Sequence, residues 1–268
     1  MFSIDFLHVI REFELARVVS HFRVGARVLE IGGGTGYQAR RLSEMGFDVS
    51  AVDIAGSRYV ADLVFPVQIY DGVELPFPDQ SFDVVFSSNV LEHVRDPATM
   101  HREVRRVLRP DGYCVHVVPT GAWRLWTNVT HYAEMLQRMV LAIPGLVPRG
   151  VGRVERRRLL IAGWDLFSTL RSYAIVKRHG ERGNALSEIF WFSTSHWDRQ
   201  LHGFGFDVVE RAPIGLFYTG NMILGSRLSL QTRQQLARFL GSACVLFRLA
   251  PSAAVHVGRS EWQSVVKT

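Results

Sequence analysis

The sequence lacks the features that mark an exported or membrane-spanning protein. It has only two cysteines, Cys114 and Cys244, which lie far apart in the chain. They are more typical of reduced core residues than of a disulfide or a metal pair, so we expect no metal site. The N-terminal segment carries acidic residues where a signal peptide would be basic. No apolar run reaches the roughly 20 residues that a spanning helix needs. These absences predict a cytoplasmic protein without a transmembrane segment.

Lysine is almost absent as well, because arginine supplies all but two of the 31 basic residues. Residues 1–120 hold 12 arginines against 16 acids, a net charge of −4, whereas residues 121–268 hold the other 19 bases against 9 acids, a net charge of +10. A basic half favours an anionic substrate, peripheral contact with a membrane surface, or nucleic acid. The alternative is an arginine-rich composition without a functional basic surface.

Apolar runs alternate with amphipathic segments through the first 120 residues. The pattern predicts an N-terminal helix over 3–22, helices over 35–45 and 97–108, and five strands at 28–31, 49–53, 67–71, 83–87 and 113–118. Continuous apolar strands separated by helices predict a parallel sheet that is covered on both faces. Such sheets bind ligands beyond the carboxyl ends of their strands.

After residue 120 this alternation stops, and it resumes later in the chain. Four tryptophans and a break rich in proline and glycine predict an insertion. A helix that ends at Gly205, a strand at 206–209, a last strand within 216–224 and a closing helix from Gln231 then follow. We therefore expect one domain, divided into an N-terminal helix (1–22), a cofactor-binding core (23–120), an insertion that covers the substrate (121–192) and a closing part (193–268).

The most informative segment is Val28–Gly36, an apolar strand that stops at a glycine-rich turn. Its glycines follow the pattern G-x-G-x-G from Gly32, whereas a dinucleotide motif would need a third glycine at the position of Tyr37. A phosphate-binding P-loop would need a lysine, and none is present here. Glu30, at the mouth of the turn, would repel phosphate and attract an ammonium or sulfonium group. The turn therefore favours a ligand other than a pyrophosphate.

Two further acids end predicted strands. Asp53 lies 17 residues beyond Gly36, where a carboxylate can accept both hydroxyls of a ribose. Asp71 ends the third strand and could accept a hydrogen bond from an exocyclic amine such as that of adenine. Each acid alone could simply cap the next helix. Together with Glu30, they predict an adenosyl ligand that carries an amino acid.

These segments resemble the class I S-adenosylmethionine-dependent methyltransferases, specifically the methyltransferase type 11 branch that is similar to quinone-biosynthesis enzymes. The resemblance covers residues 27–119, where VLEIGGGTG, SAVDI, YDGVELPFPDQSFDVVFSSNVLEHV and LRPDGYCVHVVP look like the family's blocks, and it returns faintly over 193–225. It implies an α/β fold with a doubly wound, seven-stranded, mostly parallel Rossmann-like sheet and a helical insertion late in the sheet. It also implies S-adenosyl-L-methionine as cofactor. By analogy, several residues should surround the cofactor, some through backbone atoms: Glu30, Gly32, Gly33, Gly34, Gly36, Asp53, Ile54, Asp71, Gly72 and Asn89.

Histidines are the candidates for a general base. Methyl transfer from a sulfonium is an in-line displacement in which the protein mainly positions the nucleophile. A histidine with a near-neutral pKa can take a proton from that nucleophile. His93 follows the fourth strand, and His179 lies in a polar loop with Glu181 as a potential orienting partner. The alternative is that both are solvated loop residues.

The leading hypothesis is an enzyme that methylates a small-molecule or carrier-linked acceptor. Because the insertion is basic and aromatic, we favour a hydroxyl of a glycan, lipid-linked or natural-product intermediate. An RNA or DNA methyltransferase is disfavoured, because the fourth strand ends in Ser-Ser-Asn-Val and not in a base-methylating motif. A nicotinamide dehydrogenase is disfavoured by Tyr37. A non-catalytic scaffold that binds S-adenosylmethionine stays open, although Glu30, Asp53 and Asp71 argue against it. The tryptophans of the insertion could line a substrate pocket or form its own core.

Overall fold

The computed structural model describes residues 4–55, 63–146, 152–221 and 225–253. Within these ranges the chain forms eight α-helices and seven strands. The helices are α1 (Ile4–Val19), α2 (Tyr37–Glu44), α3 (Pro97–Val107), α4 (Gly121–Leu146), α5 (Arg153–Tyr173), α6 (Ser187–Trp191), α7 (Thr194–Gly203) and α8 (Leu230–Leu240). The strands are β1 (Arg27–Ile31), β2 (Asp48–Ile54), β3 (Gln68–Tyr70), β4 (Phe82–Ser88), β5 (Leu108–Pro119), β6 (Phe206–Pro213) and β7 (Cys244–Pro251).

All seven strands belong to one sheet, in the order β3-β2-β1-β4-β5-β7-β6. The first five are parallel, and β7 runs antiparallel to both β5 and β6. β1 lies between β2 and β4, with Val28 opposite Val49 and Val84. Because β1, β4 and β5 are buried on both faces, their apolar runs are continuous instead of alternating. The predicted mostly parallel, doubly wound sheet is confirmed.

Strand order reverses between β1 and β4, and the loops that follow these two strands meet at one edge. In open α/β sheets this switch point is where ligands bind. Helix α3 returns the chain after β4. Its N-cap Asp96 accepts a hydrogen bond from the Thr99 backbone N–H at 3.0 Å, and Pro97 occupies the first turn. At this edge, the connections from β1 to α2 and from β4 to α3 are therefore short.

The seventh strand does not lie where the sequence predicted it. We expected a last strand within 216–224, but the described part of that segment forms no strand, and residues 222–224 lie outside the described residues. Leu216 and Tyr218 are buried as irregular chain, and the Leu216 carbonyl accepts a hydrogen bond from Ala243 N–H at 2.8 Å. The strand is β7, which follows the predicted closing helix α8. The count of seven strands was right, and the position of the last one was wrong.

The described part of the predicted insertion contains α4, α5 and α6 and a loop over 174–186, and its tryptophans differ in burial. Trp123 at the start of α4 is buried, whereas Trp164 on α5 is 68% exposed. Helix α5 also exposes the apolar residues Leu160, Ile161 and Phe167. No helix within the described ranges is both long and apolar enough to cross a membrane. Helix α5 therefore presents an apolar surface to solvent.

Candidate active site

The glycine-rich turn follows β1 and is tied to β2 by backbone hydrogen bonds. The N–H groups of Gly32 and Gly33 both donate to the Val52 carbonyl, at 2.8 and 3.0 Å. Gly32 has a left-handed φ of 76°, which glycine adopts without steric cost. A Cβ atom at Gly32 would also collide with the side chain of Val90. The turn therefore needs bare backbone, and it contacts the segment that follows β4.

Asp53 ends β2 and holds the turn in place. Its side chain is largely buried, its Oδ2 accepts a hydrogen bond from Gly34 N–H at 2.8 Å, and its Oδ1 accepts one from Ile54 N–H at 2.7 Å. Gly34 and Gly36 are left-handed, with φ values of 56° and 77°. The carboxylate thus lies where β2 and the glycine turn meet.

Asp71 follows β3 and caps its own turn. Its Oδ1 accepts hydrogen bonds from the backbone N–H groups of Val73 and Glu74, at 2.8 and 3.0 Å. These two bonds lower its pKa below the usual value, so the exposed carboxylate stays ionised. The adjacent Gly72 has a left-handed φ of 81°. Asp71 therefore caps a turn and not a helix, which was the alternative that we had weighed, and it stays exposed beside this edge of the sheet.

Glu30 lies deeper than the sequence suggested. It is 2% exposed, and burial raises its pKa from 4.5 to about 8, with the charge of Asp53 adding to the shift. Its Oε2 atom has no hydrogen-bond partner among the described residues. We expected an open carboxylate at the mouth of the turn, and the structure places a buried carboxyl group beneath it. A cationic group at this atom would satisfy the carboxyl group and favour its ionised form.

Asn89 redirects the chain after β4. It is one of two described non-glycine residues with a positive φ, at 55°, a conformation that asparagine tolerates better than most residues. Its N–H donates to the Val117 carbonyl at 2.8 Å, and its Oδ1 accepts a hydrogen bond from the Cys244 thiol at 3.4 Å. This left-handed turn leads directly into the short 3-10 turn Leu91–His93. The sequence flagged Asn89 by analogy alone.

The two histidines that the sequence singled out lie together. The ring centroids of His93 and His179 are 4.8 Å apart. The Glu92 carboxylate lies next to both, with its Oε1 atom 3.9 Å from His93 Nε2 and 3.8 Å from His179 Nε2. The side chain of Glu92 is fully buried, whereas those of His93 and His179 are 44% and 37% exposed. We call these three residues the Glu92 cluster.

Sequence reasoning missed Glu92 and chose the wrong partner for His179. Glu181, the predicted orienting group, instead lies 3.5 Å from the Arg95 guanidinium. Its backbone N–H donates to the Glu92 carbonyl at 2.9 Å, which joins the loop of His179 to the segment after β4. In the sequence, only its position next to His93 pointed to Glu92. Its burial could not be predicted, because it depends on the loop of His179, which is distant in sequence.

A buried ion pair holds the loop of His179. Glu188 accepts hydrogen bonds from the N–H groups of His179 and Gly180, at 2.8 and 2.7 Å. It also pairs with the Arg124 guanidinium at 2.8 Å, and both side chains are almost completely buried. Trp123 packs on the other side, with its ring centroid 4.7 Å from that of His179. The insertion thereby presents one of its histidines at the carboxyl edge of the sheet.

The residues at this edge fit S-adenosylmethionine. At the glycine turn, a ligand can approach the backbone closely. Asp53 and Asp71 offer hydrogen-bond acceptors at successive strand ends. Glu30 has a buried oxygen that accepts no hydrogen bond from the described residues. An adenosyl group with a positively charged amino acid needs these complementary groups.

Comparison with known proteins confirms the kind of domain. Residues 29–116, about a third of the chain, match the family model described as a methyltransferase domain. This match spans β1 to β5 and includes the glycine turn, Asp53 and the segment up to His93. A methyltransferase domain is therefore confirmed for this part of the chain.

The curated relatives carry the same description over a limited region. An uncharacterized methyltransferase from Mycobacterium sp. (strain KMS) is 36% identical over 125 residues, and the match covers 40% of this chain and 46% of the relative. One from Mycobacterium tuberculosis (strain H37Rv) is 34% identical over 121 residues, covering 41% and 46%. The chain thus spans about half the length of the curated relatives it matches.

Solved structures resemble the fold over nearly the whole chain. A chain of a Haloferax volcanii complex between the Trm112 methyltransferase activator and a methyltransferase has a TM-score of 0.52 at 16% identity, covering 92% of this chain and 90% of the other. A SAM-dependent methyltransferase from Thermotoga maritima has a TM-score of 0.50 at 16% identity, covering 91% and 90%. At this identity the likeness supports the Rossmann-like fold.

Proposed function

We propose that the chain is a cytoplasmic S-adenosylmethionine-dependent methyltransferase whose acceptor is a hydroxyl of a glycan, lipid-linked or natural-product intermediate. One observation carries the proposal. The glycine turn after β1 and the segment that leads to the Glu92 cluster are in direct contact, through Gly32 and Val90. A cofactor-binding turn and a pair of half-exposed histidines therefore share the same edge of the sheet.

On the cofactor side, each acidic residue has a separate role. Asp53 would accept hydrogen bonds from the ribose hydroxyls, Asp71 from the adenine amine, and Glu30 from the ammonium group. The glycine turn from Gly32 to Gly36 would lie against the ligand through its backbone. When bound, S-adenosylmethionine supplies an activated methyl group on a sulfonium. The protein's own contribution is to hold donor and acceptor in line and to keep water out.

On the acceptor side, His93 and His179 can take the proton that a hydroxyl loses. Both rings are partly exposed, and the Oε1 atom of Glu92 lies 3.9 Å from Nε2 of His93 and 3.8 Å from Nε2 of His179. Because His179 comes from the insertion, we infer that residues 121–192 cover the acceptor. The exposed apolar surface of α5 and its neighbouring Arg156 and Arg157 suit an acceptor with a lipid or anionic carrier.

Asp53 provides the test of cofactor binding. We expect Asp53→Ala to weaken binding of S-adenosylhomocysteine, measured by calorimetry, by about 10- to 100-fold, because hydrogen bonds to a charged group contribute about 1.5–3 kcal/mol each. Asp48→Ala is the matched control, since Asp48 is an exposed acid at the other end of β2. No heat with the unmodified chain, or equal affinity in the two variants, would contradict the proposal.

The acceptor class is tested by following the methyl group. The purified chain is incubated with methyl-labelled S-adenosylmethionine and a cell extract, and the labelled product is then fractionated. Label in a glycan, lipid-linked or other small molecule supports the proposed acceptor. Label in RNA or DNA would favour a nucleic-acid methyltransferase, and cofactor binding without any labelled product would favour a scaffold.

A further inference from the structure

We propose that Glu92, His93 and His179 form a binding site for one divalent transition-metal ion such as Zn²⁺. The proposal concerns the ion alone and does not rest on methyl transfer. The sequence predicted no metal site, because its two cysteines lie far apart. His93 and His179 are themselves 86 residues apart in the chain. The fold brings one ligand atom from each residue within 4.8 Å of the others.

The first argument is the state of the Glu92 carboxylate. The side chain has no exposed surface, and neither of its oxygens accepts a hydrogen bond from any described residue. A buried carboxylate without a partner is costly unless a positive charge compensates it. The Nε2 atoms of His93 and His179 lie at 3.9 and 3.8 Å from the Oε1 atom of Glu92, beyond hydrogen-bond distance. A metal ion between the three groups would satisfy the carboxylate and both nitrogens.

The second argument is geometric. Ligand atoms bound at about 2.1 Å to one tetrahedral ion lie about 3.4 Å from one another. The two distances from the Glu92 Oε1 atom exceed this by about half an ångström. The third distance, between the two imidazole nitrogens, reaches at most 4.8 Å, so it exceeds this value by at most about 1.4 Å. Both histidine side chains are partly exposed, whereas Glu92 is buried, so the two rings would move toward each other and toward the carboxylate when an ion binds.

The third argument is that the protein holds the distant ligand in place. The buried Glu188 accepts hydrogen bonds from the backbone of His179 and Gly180, and it is itself paired with Arg124. A Cβ atom at Gly180 would lie 2.7 Å from the Glu92 carbonyl oxygen, so a glycine is needed for the loop to approach this closely. Such support around the ligands is what metal sites require for affinity.

The donor set indicates which ions fit. Two imidazole nitrogens and one carboxylate oxygen suit Zn²⁺, Co²⁺, Fe²⁺ or Mn²⁺ better than Mg²⁺ or Ca²⁺, which prefer oxygen ligands. Three protein ligands leave at least one coordination position open, as in catalytic zinc sites. On the proposed function, an oxygen of the acceptor would take that position when the ion is bound, and His93 and His179 would act as bases only in the metal-free chain. The binding experiment does not depend on either role.

The test uses the full chain without an affinity tag, stripped with a chelator and titrated with Co²⁺ alone. We expect saturation at one ion per chain with visible absorption, and displacement by Zn²⁺ but not by Mg²⁺. His93→Ala and His179→Ala should each lower Co²⁺ affinity by about 10- to 100-fold. The control is His202→Ala, which removes an exposed histidine beside Asp207. It should bind as the unmodified chain does.

Absence of saturable binding, or equal affinities in the His93, His179 and control variants, would overturn the site. Glu92→Gln should also lower the affinity. If circular dichroism shows that this variant does not fold, the partly exposed histidines still decide the outcome. Titration of the same stripped chain with S-adenosylhomocysteine separates the two proposals. The chain can bind Co²⁺ without binding the cofactor product, and it can bind the cofactor product without binding Co²⁺.

Discussion

At the scale of single residues, Glu30 links the cofactor site to the stability of the chain. Its carboxyl group has a pKa of about 8 in the folded protein and 4.5 as the ordinary value, because burial penalises the charged form. Between these values the unfolded chain ionises this group and the folded chain does not. The free energy of unfolding should therefore fall as the pH rises, by up to about 1.4 kcal/mol per pH unit from this residue.

Glu30→Gln tests this pH dependence. The variant cannot ionise at position 30, so its free energy of unfolding should lack the decline that Glu30 causes between about pH 5 and pH 8. Urea unfolding of both chains across that range measures the difference. Glu74→Gln, at an exposed position, serves as the control and should follow the unmodified chain. Parallel profiles for Glu30→Gln and the unmodified chain would show that the carboxyl group is ionised in the folded state.

The placement of residues at one edge of the sheet could be predicted because it depends on local sequence. A glycine turn after an apolar strand and acids at the next two strand ends are visible in the sequence, and the fold places them at one edge. Their contacts with the ligand stay predictions. The depth of Glu30 and the orphaned carboxylate of Glu92 were not visible, because burial depends on packing from distant segments.

At the scale of elements, the first five strands could be predicted and the last could not. β1 and β4 and the predicted part of β5 are apolar runs, β2 and β3 end next to acids, and each strand is followed by a helix or a turn. β7 contains Arg248 and ends at Pro251, and it follows a helix that resembled a closing element. Its antiparallel position between β5 and β6 comes from tertiary pairing, for which the local pattern carries no signal.

The insertion depends on the buried Arg124–Glu188 pair, which joins α4 to α6. We expect Arg124→Gln to lower the free energy of unfolding by about 3–5 kcal/mol, because it leaves the Glu188 charge buried without its cation. Arg138→Gln is the control. It removes an exposed partner of Glu134 on the same helix, and such pairs contribute at most about 0.5 kcal/mol. Urea unfolding measures the free energy of unfolding of both variants. A loss for Arg124→Gln as small as that for Arg138→Gln would show that water reaches the Arg124–Glu188 pair.

At the scale of the whole molecule, β7, the last described strand, joins β6 to the rest of the sheet. β6 pairs with β7 and with no other described strand, and β7 in turn pairs with β5. Cys114 on β5 lies opposite Leu249 on β7, across 135 residues of sequence. The first half of the chain, which holds the cofactor turn, and the second half, which holds His179, thus share one sheet. We expect them to unfold as one cooperative unit.

Phe247, fully buried in the middle of β7, provides the test of this dependence. Phe247→Ala should lower the free energy of unfolding by about 3–5 kcal/mol, because it leaves a cavity in the sheet's core. Phe239→Ala is the matched control on α8, where the ring is 86% exposed, and it should change stability by less than about 0.5 kcal/mol. Residues 1–120 contain no tryptophan, so tryptophan fluorescence reports on the second half of the chain, whereas far-ultraviolet circular dichroism reports on both halves. If the two halves are coupled through β7, both probes will show the same lowered urea midpoint. A separate, unchanged transition by circular dichroism would mean that the cofactor core folds without β7.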